Sequence, residues 1–359
     1  MRARSSSRAA QFALLVAATL ALSTACSDPE ATTASGSPAA EESSAPAVAG
    51  SLEEICAAAQ EEGQLVSWNS EEPEAFENIF DAFASTYPGI ELTTVEVRPH
   101  DLVQRLVTEA SAGRQSGVDA ISVTMDKAGP LLDENLINGD IDYAAMGVEP
   151  SHIADGNLVR TERIAIGLAY NTDEVQAADL PNTWDELIDP KWEGRLVVDP
   201  RGDPLQLLSI IWGKDKTIDF VTRLRDTDQP QVIQGATAGL LTVASGENQV
   251  TTNGRSAETA EQQANGAPVD IKYLDVVPAV DYYTAVPVGA PHPNAGACWA
   301  AWLNSDAGRE AKAEFAFKGN VDLPPEAGSG EVAAIDSPES TALVTETAEG
   351  ISAVWAGRA

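Results

Sequence analysis

Cysteine, methionine and histidine each occur only three times in the 359 residues. His100, His152 and His292 are scattered, and none stands at metal-ligand spacing from another. The chain contains no Cys-x-x-Cys, Gly-x-Ser-x-Gly, His-Glu-x-x-His or Walker loop, so no motif-bearing enzyme class is indicated. A triad dispersed along the chain would leave no such mark. Basic residues are also few: 22 against 55 acids, a formal charge of −33. Such a surface repels a phosphate backbone, which excludes nucleic acid as a natural partner. An acidic excess suits solvation in an exterior medium, or steering of a cationic ligand. Long apolar runs are missing too. The main one, Phe12 to Leu22, falls short of the roughly 20 residues that span a bilayer.

That run sits in a leader. Arg2, Arg4 and Arg8 precede it, and small residues follow it, the pattern of an export signal. It ends in Leu22-Ser23-Thr24-Ala25-Cys26, which resembles the bacterial lipoprotein box, with Ser23 where that box usually has Leu. The expectation is a signal peptide over residues 1–25 and a mature chain beginning at a lipidated Cys26. A plain secreted protein is the alternative. Without the leader the chain keeps 19 bases against its 55 acids, a charge of −36. Residues 26–50 continue as Ser, Ala, Pro, Thr and Glu with almost nothing to bury, the composition of a disordered tether. Export lipidation at Cys26 would anchor the protein to the outer face of the cell membrane.

The body from Ser51 onward is long enough for two lobes with separate cores. Ser51 and Glu54 form a capping box and Gly63 a stop for a first helix carrying Cys56. Cys298 lies in a second helical pattern, NAGACWAAWLNS. In an oxidising exterior Cys56 and Cys298 can pair; two separate buried thiols are the other possibility. From Gln64 the pattern alternates: QLVSWNS strand, PEAFENIFDAFASTYPG helix, IELTTVEV strand, DLVQRLVTEASAG helix, VDAISVTM strand. Such alternation with short loops predicts an α/β fold with a parallel sheet. Ligands in such sheets bind beyond the carboxyl ends of strands, which places Asn69, Ser70, Glu72, Thr124 and Asp126 as candidates. Further on, Asn182 or Thr183 is expected to cap a short helix ended by Pro190. Asp203 is expected to cap the helix that begins at Pro204.

Six stretches resemble the extracellular solute-binding proteins of ABC importers, in the subgroup with ferric-ion, thiamine and polyamine binders. They are FENIFDAFASTYPGIEL, LVTEASAGRQSGVDAI, GLAYNTDEV, LPNTWDELIDPKWEGRL, VASGENQV and GAPHPNAGACWAAWLNSDAGRE, in the family's order. The resemblance implies a two-lobed periplasmic-binding-protein-like fold of type II, with hinge strands and a central ligand cleft. Lobe one is expected at 51–167 and 284–359, and lobe two at 168–283. The crossings would fall near Leu168–Asn171 and Tyr282–Val286. The implied role is non-enzymatic. A monomeric subunit captures a small solute, Fe(III) or an organic cation such as thiamine or a polyamine, and delivers it to a membrane permease. Any iron would be cargo, and no cofactor is implied. A lipoprotein that senses its ligand for a membrane receptor would share the fold, and an exported hydrolase is the remaining class.

Ferric-binding relatives use a carboxylate or imidazole after the first strand, an acid after the third, and two adjacent tyrosines. Glu72 and Asp126 fall near the first two positions and are the candidate metal ligands, expected to face each other. Oxygen donors suit hard Fe(III). Tyr282-Tyr283 is a tyrosine pair, but it lies far downstream of the family's position. That position reads VTTNGRSAETAEQQANGAP and has no tyrosine. Neighbours on a strand also point to opposite faces, so at most one of the pair would face the cleft. Softer candidates are Arg201, on a loop before a helix; Thr252 and Asn253, on the far wall; Asn171, at the first crossing; and Trp68 or Tyr170, as platforms for an organic cation.

Overall fold

A computed structural model describes residues 48–357. Residues 1–47, with the expected leader, Cys26 and most of the tether, lie outside the described residues. Among the described residues no helix is long and apolar enough to cross a membrane.

The first part alternates as its periodicity requires: α1 (Leu52–Glu62), β1 (Gln64–Asn69), α2 (Pro73–Thr86), β2 (Glu91–Glu96), α3 (Pro99–Ser111), β3 (Ala120–Thr124) and α4 (Met125–Asp133). The Ser51 hydroxyl accepts from the Glu54 amide at 3.4 Å, and Gly63 closes α1 at φ 70°, where a side chain would be strained. Phe76, Ile79, Phe80 and Phe83 form the buried stripe of α2. Strand β1 runs parallel to β2 and β3. There follow β4 (Ile153–Ala154), the long β5 (Leu158–Asn171), β6 (Leu196–Val198), α5 (Ser209–Trp212), α6 (Lys214–Asp228), β7 (Gln231–Val232), α7 (Ala236–Ala244), β8 (Val250–Arg255), α8 (Ser256–Ala264), β9 (Val269–Lys272) and β10 (Val276–Ala285). The chain closes with α9 (Pro293–Asn304), α10 (Asp306–Ala316), β11 (Glu331–Ala333) and α11 (Pro338–Trp355).

The strands join in the order β2-β1-β3-β10-β5-β8-β6-β7, with β11 beside β10, and β4 and β9 beside β5. Strands β5 and β10 are antiparallel to each other and belong to both halves. Strand β10 pairs with β3 through Tyr282 to Ala285, while β5 from Ile166 onward pairs with β8 and β9. These are the two strands that cross between lobes. The first crossing starts at Ile166, slightly before the expected Leu168. Gly167 stands there because a Cβ would lie 2.5 Å from the Lys272 carbonyl oxygen. The crossing strands are bound together by a buried ion pair. Arg163 donates to both carboxylate oxygens of Asp281, at 2.7 and 2.6 Å. A bidentate guanidinium–carboxylate pair fixes orientation as well as distance.

Two apolar cores flank the crossing. In lobe one Trp299 packs edge-on against Phe76 and Phe83 and stacks on Trp302. Cys56 of α1 is disulfide-bonded to Cys298 of α9 in this core, with 5.1 Å between their Cα atoms. In lobe two Trp184, Phe220, Val221 and Leu224 form the centre. Helix α11 departs from the expectation that residues 284–359 return to lobe one. Its Val344, Ile351 and Val354 are buried in the lobe-two core. The region 183–190 also differs: it makes a single 3₁₀ turn at Asp185–Leu187, where the Thr183 hydroxyl accepts from the Glu186 amide at 3.2 Å. Asp203 caps no helix. The next turn starts at Leu205 with Pro204 at its N-cap position, and the Asp203 carboxylate is drawn to Arg255 and Asn253 instead.

Candidate functional site

Carboxyl ends of strands from both lobes converge on β10. From lobe one come Asn69, Ser70 and Glu71 after β1, and Thr124 at the end of β3. From lobe two come Asp203 after β6, and Asn253 and Arg255 at the end of β8. Tyr282 lies between these walls. It pairs in register with Thr124 of β3 and Glu162 of β5. Burial raises the pKa of its phenol, and Glu162 adds to the rise, while Arg255 and Lys318 oppose it. The neutral hydroxyl is therefore available both to donate and to accept.

The lobe-one wall carries a charge quartet. Lys318 donates to Glu71 at 2.7 Å, and Lys312 donates to Glu162 at 2.6 Å. Lys312 also stands 3.7 Å from Glu71, and Lys318 stands 3.9 Å from Glu162. Glu162 is 2 % exposed. Burial raises its pKa against the pull of Lys312. Burial also pushes Glu71 upward, but Lys312 and Lys318 outweigh it and the net shift is down. Glu71 is thus the firmly ionised member. On the lobe-two wall Arg255 donates to Asp203 at 2.7 Å, and Asn253 reaches the same carboxylate at 3.3 Å. Burial works against the Arg255 charge, but Asp203 and Glu258 hold its pKa above the ordinary value.

Two open spaces border this centre. A groove of about 760 Å³ is lined by Ser70, Glu71, Glu72, Glu258, Glu261 and Lys318. A cavity of about 340 Å³ is lined by Thr124, Asp126, Asp203, Gln206 and Asp281, with Thr345 of α11 closing it. Either volume suits a small solute.

The sequence-derived residues divide accordingly. Ser70 and Glu72 line the groove, whereas Thr124 and Asp126 line the cavity. Glu72 and Asp126 therefore do not form one facing pair, and Asp126 lies 2.7 Å from Lys127. Among the described residues no group of three or more His, Cys, Asp or Glu is placed to hold a metal ion. Asn69 is buried and serves the loop: its amide donates to Thr94, and its oxygen accepts from the Glu71 backbone. Asn171 does similar work, donating to the Val243 carbonyl at 2.8 Å. Tyr170 is buried in the lobe-two core, its hydroxyl on Asp270. Trp68 is buried with the Arg105 guanidinium 3.9 Å above its ring. Arg201 is tied to Asp199 through both Nε and Nη2. Thr252 is fully buried, its hydroxyl on the Val197 carbonyl. Asn253 and Tyr282 belong to the converging set. Tyr283 points into the lobe-one core, where burial pushes its phenol up to about 12. Sequence reasoning placed Glu71 at the strand end but chose its neighbour Glu72, and it missed Glu162, Arg255, Glu258, Lys312 and Lys318. Arg255 was within reach, since it stands in the stretch where the family's tyrosines were sought. Lys312 and Lys318 gave no signal, because they lie on a helix and its exit remote from every strand end.

Comparison with known proteins agrees with this architecture. The family model for bacterial extracellular solute-binding protein matches residues 67–310. No curated protein matches this chain in sequence. Among solved structures, iron-bound HitA from Pseudomonas aeruginosa is 17 % identical with a TM-score of 0.65, covering 81 % of this chain and 99 % of its own. FutA of Trichodesmium, in complex with iron and citrate, is 15 % identical with a TM-score of 0.65, covering 82 % and 99 %. Apo FutA2 from Synechocystis PCC6803 is 20 % identical with a TM-score of 0.62, covering 81 % and 98 %. At these identities the structures share the fold with this chain. With two lobes joined by β5 and β10, and a family match over two thirds of its length, the chain belongs to the bacterial extracellular solute-binding proteins, a family that binds solutes and does not turn them over.

Proposed function

We propose that this protein is the substrate-binding subunit of an ABC importer, holding a small organic solute between its lobes and presenting it to a membrane permease. The observation that carries this reading is Tyr282. This one residue of a crossing strand pairs in register with Thr124 and Glu162, and its phenol lies within the influence of Glu71 and Lys318 from one lobe and of Arg255 from the other. A solute touching that centre touches both lobes and favours the closed hinge, as differential binding requires. The division that supports the reading has lobe one near 51–165 and 282–320, and lobe two near 166–281 completed by α11. Lipidation at Cys26 would keep the subunit beside its permease as a monomer.

Of the solutes suggested by sequence, an organic one suits the site better than bare Fe(III). The expected carboxylate pair is split between two spaces. The carboxylates of Glu71, Glu162 and Asp203 are also already paired, with Lys318, Lys312 and Arg255, which leaves little negative charge for a trivalent ion. The acidic groove, with Glu72, Glu258 and Glu261, favours approach of a positive group. Melting curves with thiamine, spermidine and ferric citrate test this. A solute at 100 times its Kd adds about 2.7 kcal/mol of stability. Small-angle scattering should then show a smaller radius of gyration with that solute. Saturation by ferric citrate with no organic compound bound would overturn the organic reading.

A further inference from the structure

The lobe-two wall contains three polar atoms that nothing among the described residues satisfies. Asn253 Oδ1, Arg255 Nε and Glu258 Oε2 are buried and have no hydrogen-bond partner among the described residues. Asn253 itself is 3 % exposed. All three come from one six-residue stretch that ends β8 and opens α8. Asn253 and Arg255 share the Asp203 carboxylate, at 3.3 and 2.7 Å, and Glu258, three residues further on, lines the groove beside Glu71 and Lys318. A buried donor or acceptor left unpaired has given up its water without replacement, which destabilises the fold. Three such atoms at one wall of an interlobe space mark a surface shaped for something else.

Their chemistry is mixed. Arg255 Nε is a cationic donor, and Asn253 Oδ1 and Glu258 Oε2 are acceptors, one of them anionic. The surrounding charges are mixed as well. The carboxylates of Glu71, Glu162, Asp203 and Glu258 face the cations Arg255, Lys312 and Lys318, so the centre is close to neutral. A bare cation would meet the lysines and arginine; a bare anion would meet the carboxylates. A molecule carrying both charges meets neither problem.

We infer that the cleft takes a small zwitterion. Its oxo-anion, a carboxylate or phosphoryl group, accepts from Arg255 Nε and from the Tyr282 hydroxyl. Its ammonium donates to Asn253 Oδ1 and Glu258 Oε2. Helix α8 supports the anionic end. It begins at Ser256 with no side-chain cap on its first amides, so its N-terminus is free to favour negative charge. This inference rests on the proposed capture of a small solute between the lobes and names the class of that solute.

The test uses purified protein and matched sets of compounds. Each set is an amino acid, or phosphoethanolamine, beside the parent amine and the parent acid. Ferric citrate, thiamine and spermidine are run alongside, with melting curves and calorimetric titration as readouts. At least one zwitterion should bind tenfold or more tighter than either parent. Arg255→Gln and Glu258→Gln should each weaken it at least tenfold, and Arg255→Lys should recover part of the loss. Should both Gln variants fold poorly, the wild-type comparison of zwitterion with parents decides alone. If spermidine, thiamine or ferric citrate binds and every zwitterion fails, the zwitterion assignment is wrong while solute capture stands. If no compound of any class shifts melting or scattering, both readings fall.

Discussion

Lobe one and lobe two bury comparable apolar cores but close them by different means. In lobe one the packing of α2 against α9 brings together Phe76, Phe80, Phe83, Trp299 and Trp302, and the Cys56–Cys298 bond ties α9 to α1 across 242 residues of sequence. Lobe two contains no disulfide among the described residues. It depends on Trp184, Trp212 and Phe220, and on the apolar face of α11 arriving from the far end of the chain. One lobe is closed by a covalent bond acting chiefly on the unfolded chain, the other by packing in the folded state. The lesson is that the two halves should fail separately under stress.

The largest expected effect comes from the covalent bond. The double variant Cys56→Ala/Cys298→Ala should lose up to about 5 kcal/mol, the chain-entropy figure for so long a loop. Urea unfolding measures it. A loss below about 1 kcal/mol would show that the aromatic packing closes lobe one unaided. Next is α11. Ile351→Ala deletes a fully buried side chain and should cost about 2–5 kcal/mol. Hydrogen exchange should show lobe two opening first. Uniform loss across both lobes would dissolve the comparison.

A third variant should stabilise lobe two. Asp228 ends α6 fully buried, with both carboxylate oxygens unpartnered among the described residues. Burial, with Asp189 and Glu193 nearby, raises its pKa to about 6. A raised carboxylate favours the folded state when protonated. That stability is complete below about 3.8 and is lost as pH rises through 6. Asp228→Asn should therefore add about 1–2 kcal/mol at pH 7 and flatten the dependence between pH 4 and 6. Thermal melts over that range check it, and an unchanged slope would refute it.

The smallest effects separate two neighbours. Tyr283→Phe removes the hydroxyl that Asp281 accepts from at 3.4 Å in the lobe-one core, and should cost about 1 kcal/mol of stability without altering solute affinity. Tyr282→Phe should leave melting unchanged and weaken solute binding about tenfold, or 1.4 kcal/mol. Reversed behaviour in titration and melting would move the binding centre to the other face of β10.

The alternation of elements was legible because each carries its own period and its own stops. The Phe76–Phe83 stripe, the Ser51–Glu54 cap and Gly63 are local facts. The return of α11 to lobe two was not legible. Its apolar residues say that one face is buried, not against which core. The site divided in the same way. Positions after β1 and β3 could be placed, since strand ends define them. Whether Glu71 or Glu72 turned inward depended on Lys318, 247 residues away from Glu71. Asn171, Arg201 and Thr252 were plausible polar wall residues that the backbone had already claimed. A loop residue bonded to its own loop looks, in sequence, like one waiting for a ligand.

The lodging of α11 in lobe two also sets an order of assembly. A chain is made from its N-terminus, so Trp299 and Cys298 emerge while the last 60 residues are still to come. Once Trp302, Leu303 and Ala311 have followed, lobe one has its buried core. Lobe two, though most of its sequence is already out, lacks Val344, Ile351 and Val354 until the end. The half begun second is thus also the half finished last. A nascent or prematurely terminated chain would display an apolar Leu205–Leu208 and Phe220–Leu224 surface beside a completed neighbour, a natural handle for chaperones and for proteases that remove unfinished copies.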